Sequence, residues 1–597
     1  MGACILTACL RKQGFDVEIL EPSVRAWTIE ESVDKVAARD APIVAISVLR
    51  DKNVKDVLAF VRALRLRCPD RFIVLGGHGP SIAVQAILPD YPQPLPRQTS
   101  PTAQPQLPQP RPLSLPRLQI STGPVVDPML TDRGKGAGDL GSEALVCSST
   151  IELDAPSESP YFDKTREYLA MLDHADAYML SESDRNFPVL VQRVLAGEDW
   201  RDIPGVVYLD DGGLLIRNPL PPKIVDLDEV PFMARDVLDE YRLLYGRPLP
   251  ASLLASRGCF YRCTFCSVVQ YERLQEGKHH RQRSNANIVA EIECLHQQHG
   301  VTAFNFEDDN FIVKSNAGRE KIHDLCDRIL ALPFPVRFTL FCRADVVERE
   351  LFAHLREAGL EGIYFGVESV YPGDLEFFHK GFFVDEVYRA LDVLLDAGFS
   401  PRVGAERRIM FGYITWHPLT SFASLRATSR FVREYEAPPK LLRRKLRLYS
   451  ATQAVADVAR LGLLDPAHRD GWRFADRRIQ GLDELVDSFA ATVNRVRDRV
   501  RTLEKAHVQH GFALDGVSDF RRHRLELDGL IHTYFDAVLD AAEAAPEGAT
   551  AATVDEVDAR LREALDEHIE THSLNDAIAA AYAECGFRLE TADLFRK

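Results

Sequence analysis

The chain has 597 residues, of which 46% are hydrophobic and 27% charged, and its formal net charge is −16. That length suits about three or four domains, each with a core of its own. The acidic balance repels a phosphate backbone and argues against nucleic acid as a partner. No apolar run reaches the roughly 18 residues a transmembrane helix needs, which argues against a membrane partner. The apolar start, Ala3 to Leu10, has no basic stretch before it, so it does not read as a signal peptide. Of eleven cysteines, three are clustered and eight are scattered, a pattern that fits a reducing cytoplasm and one metal site. Cys4, Cys9, Cys68, Cys147, Cys294, Cys326, Cys342 and Cys585 have no partner at ligand spacing and read as small buried hydrophobes or free thiols.

Residues 2–13 have helical spacing and stop at Gly14, and 16–20 alternate as a strand. A helix over 29–39 leads to the continuous apolar run 42–49, which suits a buried parallel strand. A helix over 53–66 leads to the strand 71–75, which ends in Gly76-Gly77-His78-Gly79-Pro80. Helices and strands alternating over short links give a doubly wound, Rossmann-like α/β domain, whose ligands bind beyond the carboxyl ends of the strands. Ser47 and Leu49 stand at one such end and Gly76 and Gly77 at the next. A small hydroxyl beside two bare glycines leaves room for a long, flat nucleotide tail. This spacing resembles the Ser-x-Leu and Gly-Gly elements of cobalamin-binding domains; the plainer reading is a common tripeptide and a common turn. His78 lines the same pocket or is a solvated loop residue. The first strand and histidine-bearing loop of such domains are missing ahead of the first helix.

Residues 91–120 contain nine prolines among Gln, Ser, Thr and Arg. Such a stretch buries too little apolar surface to order itself, so 91–159 is expected to be a disordered insertion. The α/β domain resumes over 160–220. It continues with a helix to about 173, a strand over 175–180, the loop Ser181-Glu182-Ser183-Asp184, a helix over 186–196 and a hairpin over 205–216. Relatives of this kind have an acidic Gly-Glu turn at that loop; here the glycines are serines. Residues 221–248 read as a linker.

A strand over 250–256 opens onto Arg257-Gly258-Cys259-Phe260-Tyr261-Arg262-Cys263-Thr264-Phe265-Cys266. Three thiolates are one too few to close a tetrahedral zinc site, and His279 and His280 are the nearest candidates for a fourth ligand. Three is the right number for a four-iron cluster with one iron left open. Strands near 302–306, 336–342, 362–367, 402–412 and 445–449 alternate with helices near 285–299, 317–331, 347–358, 384–397 and 422–435. With the first strand this makes a partial (β/α)6 barrel over 249–450, whose chemistry belongs at the carboxyl ends of its strands. Those ends carry Glu307 to Asn310, Arg343 with Asp345, Gly366 with Glu368 and Ser369, and Gly404.

The cysteine run, with Phe265 before its last cysteine, resembles the radical S-adenosylmethionine (SAM) superfamily. The runs 306–311, 342–345 and 364–369, and the stretch from Ile409 into a Thr-Trp-His-Pro turn, are similar to its cobalamin-dependent branch. The resemblance implies a 4Fe-4S cluster on Cys259, Cys263 and Cys266 whose open iron chelates SAM. It implies further that the backbone at Phe265 faces the adenine, Glu368 and Ser369 meet the ribose, Asp308 or Asp309 holds the amino group and Arg343 the carboxylate. An electron from the cluster would then release a deoxyadenosyl radical that abstracts hydrogen from an unactivated carbon. An external, flavodoxin- or ferredoxin-like donor supplies the electron.

Residues 451–597 read as a helical domain that caps the barrel, with Trp472, Phe474, Tyr534 and Phe535 as core aromatics. The reading that follows is a cytoplasmic cobalamin-dependent radical SAM methyltransferase acting on carbon of a small natural-product or peptide substrate. Two alternatives stand beside it: cyclisation or rearrangement with cobalamin and no net methyl transfer, and a radical SAM enzyme whose cobalamin domain is a relic.

Overall fold

The structure is a computed structural model. It describes residues 2–22, 27–48, 54–81, 117–122, 170–213, 215–246, 249–402, 405–449, 452–465, 467–494, 517–545 and 550–571, with a few isolated positions besides. Leu49 and Gly404 lie outside the described residues.

The first unit is a seven-stranded sheet. Its strands are β1 (Asp16–Leu20), β2 (Ile43–Ser47), β3 (Phe72–Gly76), β4 (Arg117–Thr122), β5 (Ala177–Met179), β6 (Val206–Leu209) and β7 (Leu215–Arg217), in the order β1-β4-β2-β3-β5-β6-β7. The pairs from β1 to β5 are parallel, and the β6–β7 hairpin adds antiparallel strands at one edge. The continuous apolar run of β2 follows from burial on both faces. Val44 and Ile46 pack with the helices α2 (Ile29–Ala37) and α3 (Val54–Arg67), through Val33, Val36, Val57 and Val61. Ile43 and Ala45 face the other way, onto α1 (Gly2–Lys12) and α4 (Asn186–Ala196), through Ala3, Leu10, Leu190 and Val191. Thr28 and Glu31 close a capping box that fixes where α2 begins.

One expectation is corrected here. Within the run expected to be disordered, Arg117–Thr122 forms β4, paired in parallel with β1 on one side and β2 on the other. It lies between these two strands in the sheet. A strand between two others supplies partners to the backbone N–H and C=O groups of both, and the proline-free stretch just after Pro116 is able to do so. The rest of 91–159 lies outside the described residues, apart from the strand.

The second unit is a five-stranded parallel sheet. It holds β8 (Ala251–Leu253), β11 (Ala303–Phe306), β12 (Arg337–Arg343), β13 (Leu360–Glu368) and β14 (Arg408–Tyr413), in the order β14-β13-β12-β11-β8. A short antiparallel pair, β9 (Ser256–Arg257) with β10 (Arg281–Gln282), braces the cysteine loop. The sixth strand, expected at 445–449, is reduced to a single parallel bridge between Trp416 and Lys445. The Lys445 side chain pairs with Asp483 and Asp487 of the segment that follows the barrel. Beyond it, the helix Val517–Ala544 packs on the barrel. Trp472, Phe474, Tyr534 and Phe535 are buried, with the ring of Phe535 6.0 Å from that of Trp416.

Candidate active site at the cysteine loop

Gly258 sets the path of the cysteine loop. It adopts φ +81°, and a Cβ there would stand 2.1 Å from the His279 carbonyl oxygen and 2.5 Å from the Glu272 carboxyl carbon, so only glycine fits. The Cys266 N–H donates to the Cys263 carbonyl at 3.2 Å, and Cys266 caps the helix Ser267–Arg273. Burial pushes the Cys259 thiol up to about 11 and the Cys266 thiol up to about 12, and the nearby Cys263 and Asp309 add to both shifts. Binding iron therefore means displacing protons, and loading is favoured as pH rises. Among the described residues, no three His, Cys, Asp or Glu side chains are grouped to hold one metal ion. In a cubane each cysteine binds its own iron, so its sulfurs stand wider apart than around a single zinc. Three soft donors on one loop, without a fourth, fit such a cluster.

The two aspartates after β11 differ. Asp308 is buried and accepts the Ser256 hydroxyl at 2.5 Å and the Ala255 N–H at 3.2 Å. Both its oxygens are thus spent on the strand that leads into the cysteine loop, and burial pushes it up to about 6. Asp309, the next residue, is exposed. The protein packed around it, with Glu272 and Asp308, pushes its carboxyl upward, though access to solvent tempers the effect. Of the pair, Asp309 has oxygens open to a ligand.

Arg343 is held on several sides. Its Nε donates to Asp345 at 3.0 Å, its Nη2 to Asp345 and to the Lys380 carbonyl, and its guanidinium lies 3.5 Å over the Tyr261 ring. Burial alone would lower its pKa, but Asp345 and Cys263 hold it above the ordinary value.

Glu368 sits at the carboxyl end of β13, where the register with β14 shifts and Glu368 takes φ +64°. Its carboxylate rests over bare Gly366 and Gly412 and receives Lys380 Nζ at 3.2 Å. Ser369 does not share this opening. It is fully buried, donating to Asp374 at 2.7 Å and accepting the Tyr371 N–H at 3.1 Å, so its hydroxyl is engaged within the protein. Phe265 packs edge-on against Phe378, with Lys380 Nζ 5.9 Å from its ring. Lys380 is the site residue that sequence reasoning missed.

At the first sheet's carboxyl edge, Ser47 and Gly76 are register partners. Gly77 adopts φ +109°, and a Cβ there would lie 2.7 Å from the Val48 carbonyl oxygen. The glycine pair thus serves a close backbone approach of the protein itself, while the edge stays free of bulk at Ser47, Gly76 and Gly77. His78 stacks on Tyr271 of the barrel, with ring centroids 5.0 Å apart.

The two units meet at the cysteine loop. Arg257 makes two bonds to Asp184, Arg281 pairs with Glu182, and the Ser181 hydroxyl donates to Gln275 at 2.7 Å. Lys223 pairs with Glu272 at 2.6 Å. The loop Ser181–Asp184 thereby grips the chain on both sides of the three cysteines.

Comparison with known proteins agrees with this architecture. Residues 1–93 match the B12 binding domain and 253–425 the radical SAM superfamily. This order of domains is that of the cobalamin-dependent branch of the radical SAM superfamily, and it brings with it a 4Fe-4S cluster, SAM and cobalamin. The fold is shared with a solved structure of the cobalamin-dependent SAM radical enzyme OxsB with aqua-cobalamin bound. The TM-score is 0.63 at 15% identity, over 98% of this chain and 77% of that one. The radical SAM methyltransferase TsrM from Kitasatospora setae aligns with a TM-score of 0.51 at 17% identity, over 77% of this chain and 73% of that one. An uncharacterised methyltransferase of Pyrococcus horikoshii is 31% identical over 209 residues, 34% of this chain and 43% of that protein. The anaerobic magnesium-protoporphyrin IX monomethyl ester cyclase of Rubrivivax gelatinosus is 26% identical, over 37% of this chain and 40% of that protein. The chain thus spans less than half the length of these curated relatives.

Proposed function

We propose that the protein is a cobalamin-dependent radical SAM methyltransferase that acts on carbon of a small-molecule or peptide substrate. The observation that carries this reading is the seating of the cysteine loop: the cobalamin-type domain grips it directly, through Asp184 and Arg257. Two cofactors that must cooperate in one reaction call for such a junction. When bound, the cluster supplies an electron to the SAM sulfonium, and cobalamin supplies a cobalt able to carry a methyl group.

The chain's own residues then have distinct tasks. Cys259, Cys263 and Cys266 would hold three irons of the cluster and leave the fourth to SAM. Glu368, held by Lys380 and seated over two glycines, accepts from the ribose hydroxyls. Asp309, which is exposed, accepts from the amino group, and the backbone at Phe265 faces the adenine. Asp308 and Ser369 shape the loops that carry the site. Ser47, Gly76 and Gly77 leave the first sheet's edge open to the nucleotide tail of cobalamin, and Leu49 belongs to the same proposed element. A low-potential external donor and a reducing, cytoplasmic setting go with this chemistry. Among the described residues no helix is long and apolar enough to cross a membrane.

The test is an anaerobic incubation of the reconstituted, reduced protein with methyl-labelled SAM and candidate substrates. A labelled methyl on product carbon supports the proposal. A substrate converted without label favours a cyclisation, as in the cyclase of Rubrivivax gelatinosus.

A further inference from the structure

The sequence resemblance gives Arg343 to the carboxylate of SAM, but the geometry points elsewhere. Arg343 is 9% exposed at the end of β12. One edge of its fork, Nε with Nη2, is closed by Asp345 at 3.0 and 3.5 Å, and Nη2 also donates to the Lys380 carbonyl. The guanidinium also lies 3.5 Å from the Tyr261 ring and 5.0 Å from the Phe382 ring. Asp345 is fixed in turn, by the Tyr261 hydroxyl at 3.4 Å and Lys314 at 3.6 Å. A guanidinium held in this way has no free edge with which to grip a carboxylate in two-pronged fashion. What remains is Nη1, which donates to Cys263 Sγ at 3.9 Å.

We propose that Arg343 is a positioning residue of the cluster: its Nη1–H donates to the sulfur of Cys263 and raises the cluster's reduction potential, and SAM finds its carboxylate partner elsewhere. The inference rests on Cys259, Cys263 and Cys266 holding the cluster. The physical ground is that a reduced cluster carries more negative charge on its sulfurs. A fixed N–H aimed at one of them stabilises that state over the oxidised one. The Arg343–Asp345 pair brings almost no net charge, so the directed donor is the group that acts.

The experiment uses the full chain, anaerobically reconstituted, with the cluster followed by electron paramagnetic resonance through a redox titration. Because Arg343→Met alone would strand a buried carboxylate, the variant is Arg343→Met with Asp345→Asn, and Arg343→Lys serves as a second. The proposal expects wild-type iron content in both. In the double variant the constant for one-electron reduction falls roughly tenfold, a midpoint about 59 mV more negative. SAM binding, read by equilibrium dialysis, changes less than about twofold. An unchanged midpoint with SAM affinity down about tenfold would overturn the proposal, as would loss of the cluster in both variants alone. A wild-type protein that takes up no cluster would instead sink the cluster assignment beneath it.

Discussion

Arg257 and Asp184 face each other across the junction of the two units, joined by two hydrogen bonds of 2.9 and 2.8 Å. Arg257 lies two residues before Cys259, and Asp184 lies in the loop after the cobalamin-type domain's fifth strand. Burial would raise the Asp184 pKa, but the guanidinium more than offsets it and holds the carboxyl below the usual range. Asp184→Ala leaves a buried arginine without its main counter-charge, a loss of about 3–5 kcal/mol. Thermal unfolding should show it as an earlier transition, and limited proteolysis as new cleavage near the junction. An unchanged transition would mean that solvent or Glu182 replaces the pair.

Each of Cys259, Cys263 and Cys266 changed to Ala should remove the visible absorption of the cluster and most of the bound iron. Far-ultraviolet dichroism should stay as in the wild type, because none of the three is in a regular element's core. A variant that kept full iron content would remove that cysteine from the ligand set.

Asp308 gives a pH dependence with a definite sign. Its carboxyl stands at about 6 in the fold against an ordinary 3.8, chiefly through burial. The folded state therefore binds this proton more tightly than the unfolded one. The contribution is fully present below about 4 and is lost as pH rises to about 6. Asp308→Asn keeps an oxygen for Ser256 and carries no charge. In urea titrations without cofactors, its midpoint should gain on the wild type between pH 4 and 6 and keep a constant lead above. A lead that did not grow over that interval would contradict the burial argument.

Gly412 tests the seat of Glu368. A Cβ there would stand 3.2 Å from a Tyr364 ring carbon and 3.4 and 3.5 Å from the two Glu368 oxygens. Gly412→Ala should displace the carboxylate enough to weaken one hydrogen bond to the ribose. SAM affinity should fall roughly fivefold, about 1 kcal/mol, with cluster content unchanged. Equilibrium dialysis with labelled SAM measures this, and wild-type affinity would count against Glu368 as a ribose partner.

Much of this was legible in the sequence, for local reasons. The cysteine loop is contiguous, and β2 announces two-sided burial by its unbroken apolar run. β4 was not legible, because a strand amid prolines and polar residues is defined by its partners β1 and β2, which lie far off in sequence. Ser369 read as a ligand because a hydroxyl at a strand end resembles one; Asp374, five residues on, takes it instead. Lys380 lies in a loop with no motif of its own and enters the site only because the irregularity at Glu368 turns that carboxylate toward it. The sixth strand is confined to the bridge between Trp416 and Lys445, and the apolar spacing near 445–449 carries no local sign of how far pairing extends.

The central claim is that a radical SAM site and a methyl-carrying cobalamin work in one protein, and it can be tested without knowing the substrate. The full chain, reconstituted anaerobically with iron, sulfide and hydroxocobalamin, is reduced and incubated with SAM bearing a deuterated methyl group. Mass spectrometry of the corrinoid fraction is the measurement. The account predicts deuterated methyl in that fraction, with S-adenosylhomocysteine formed alongside. Deoxyadenosine formed while the corrinoid stays unlabelled would contradict it.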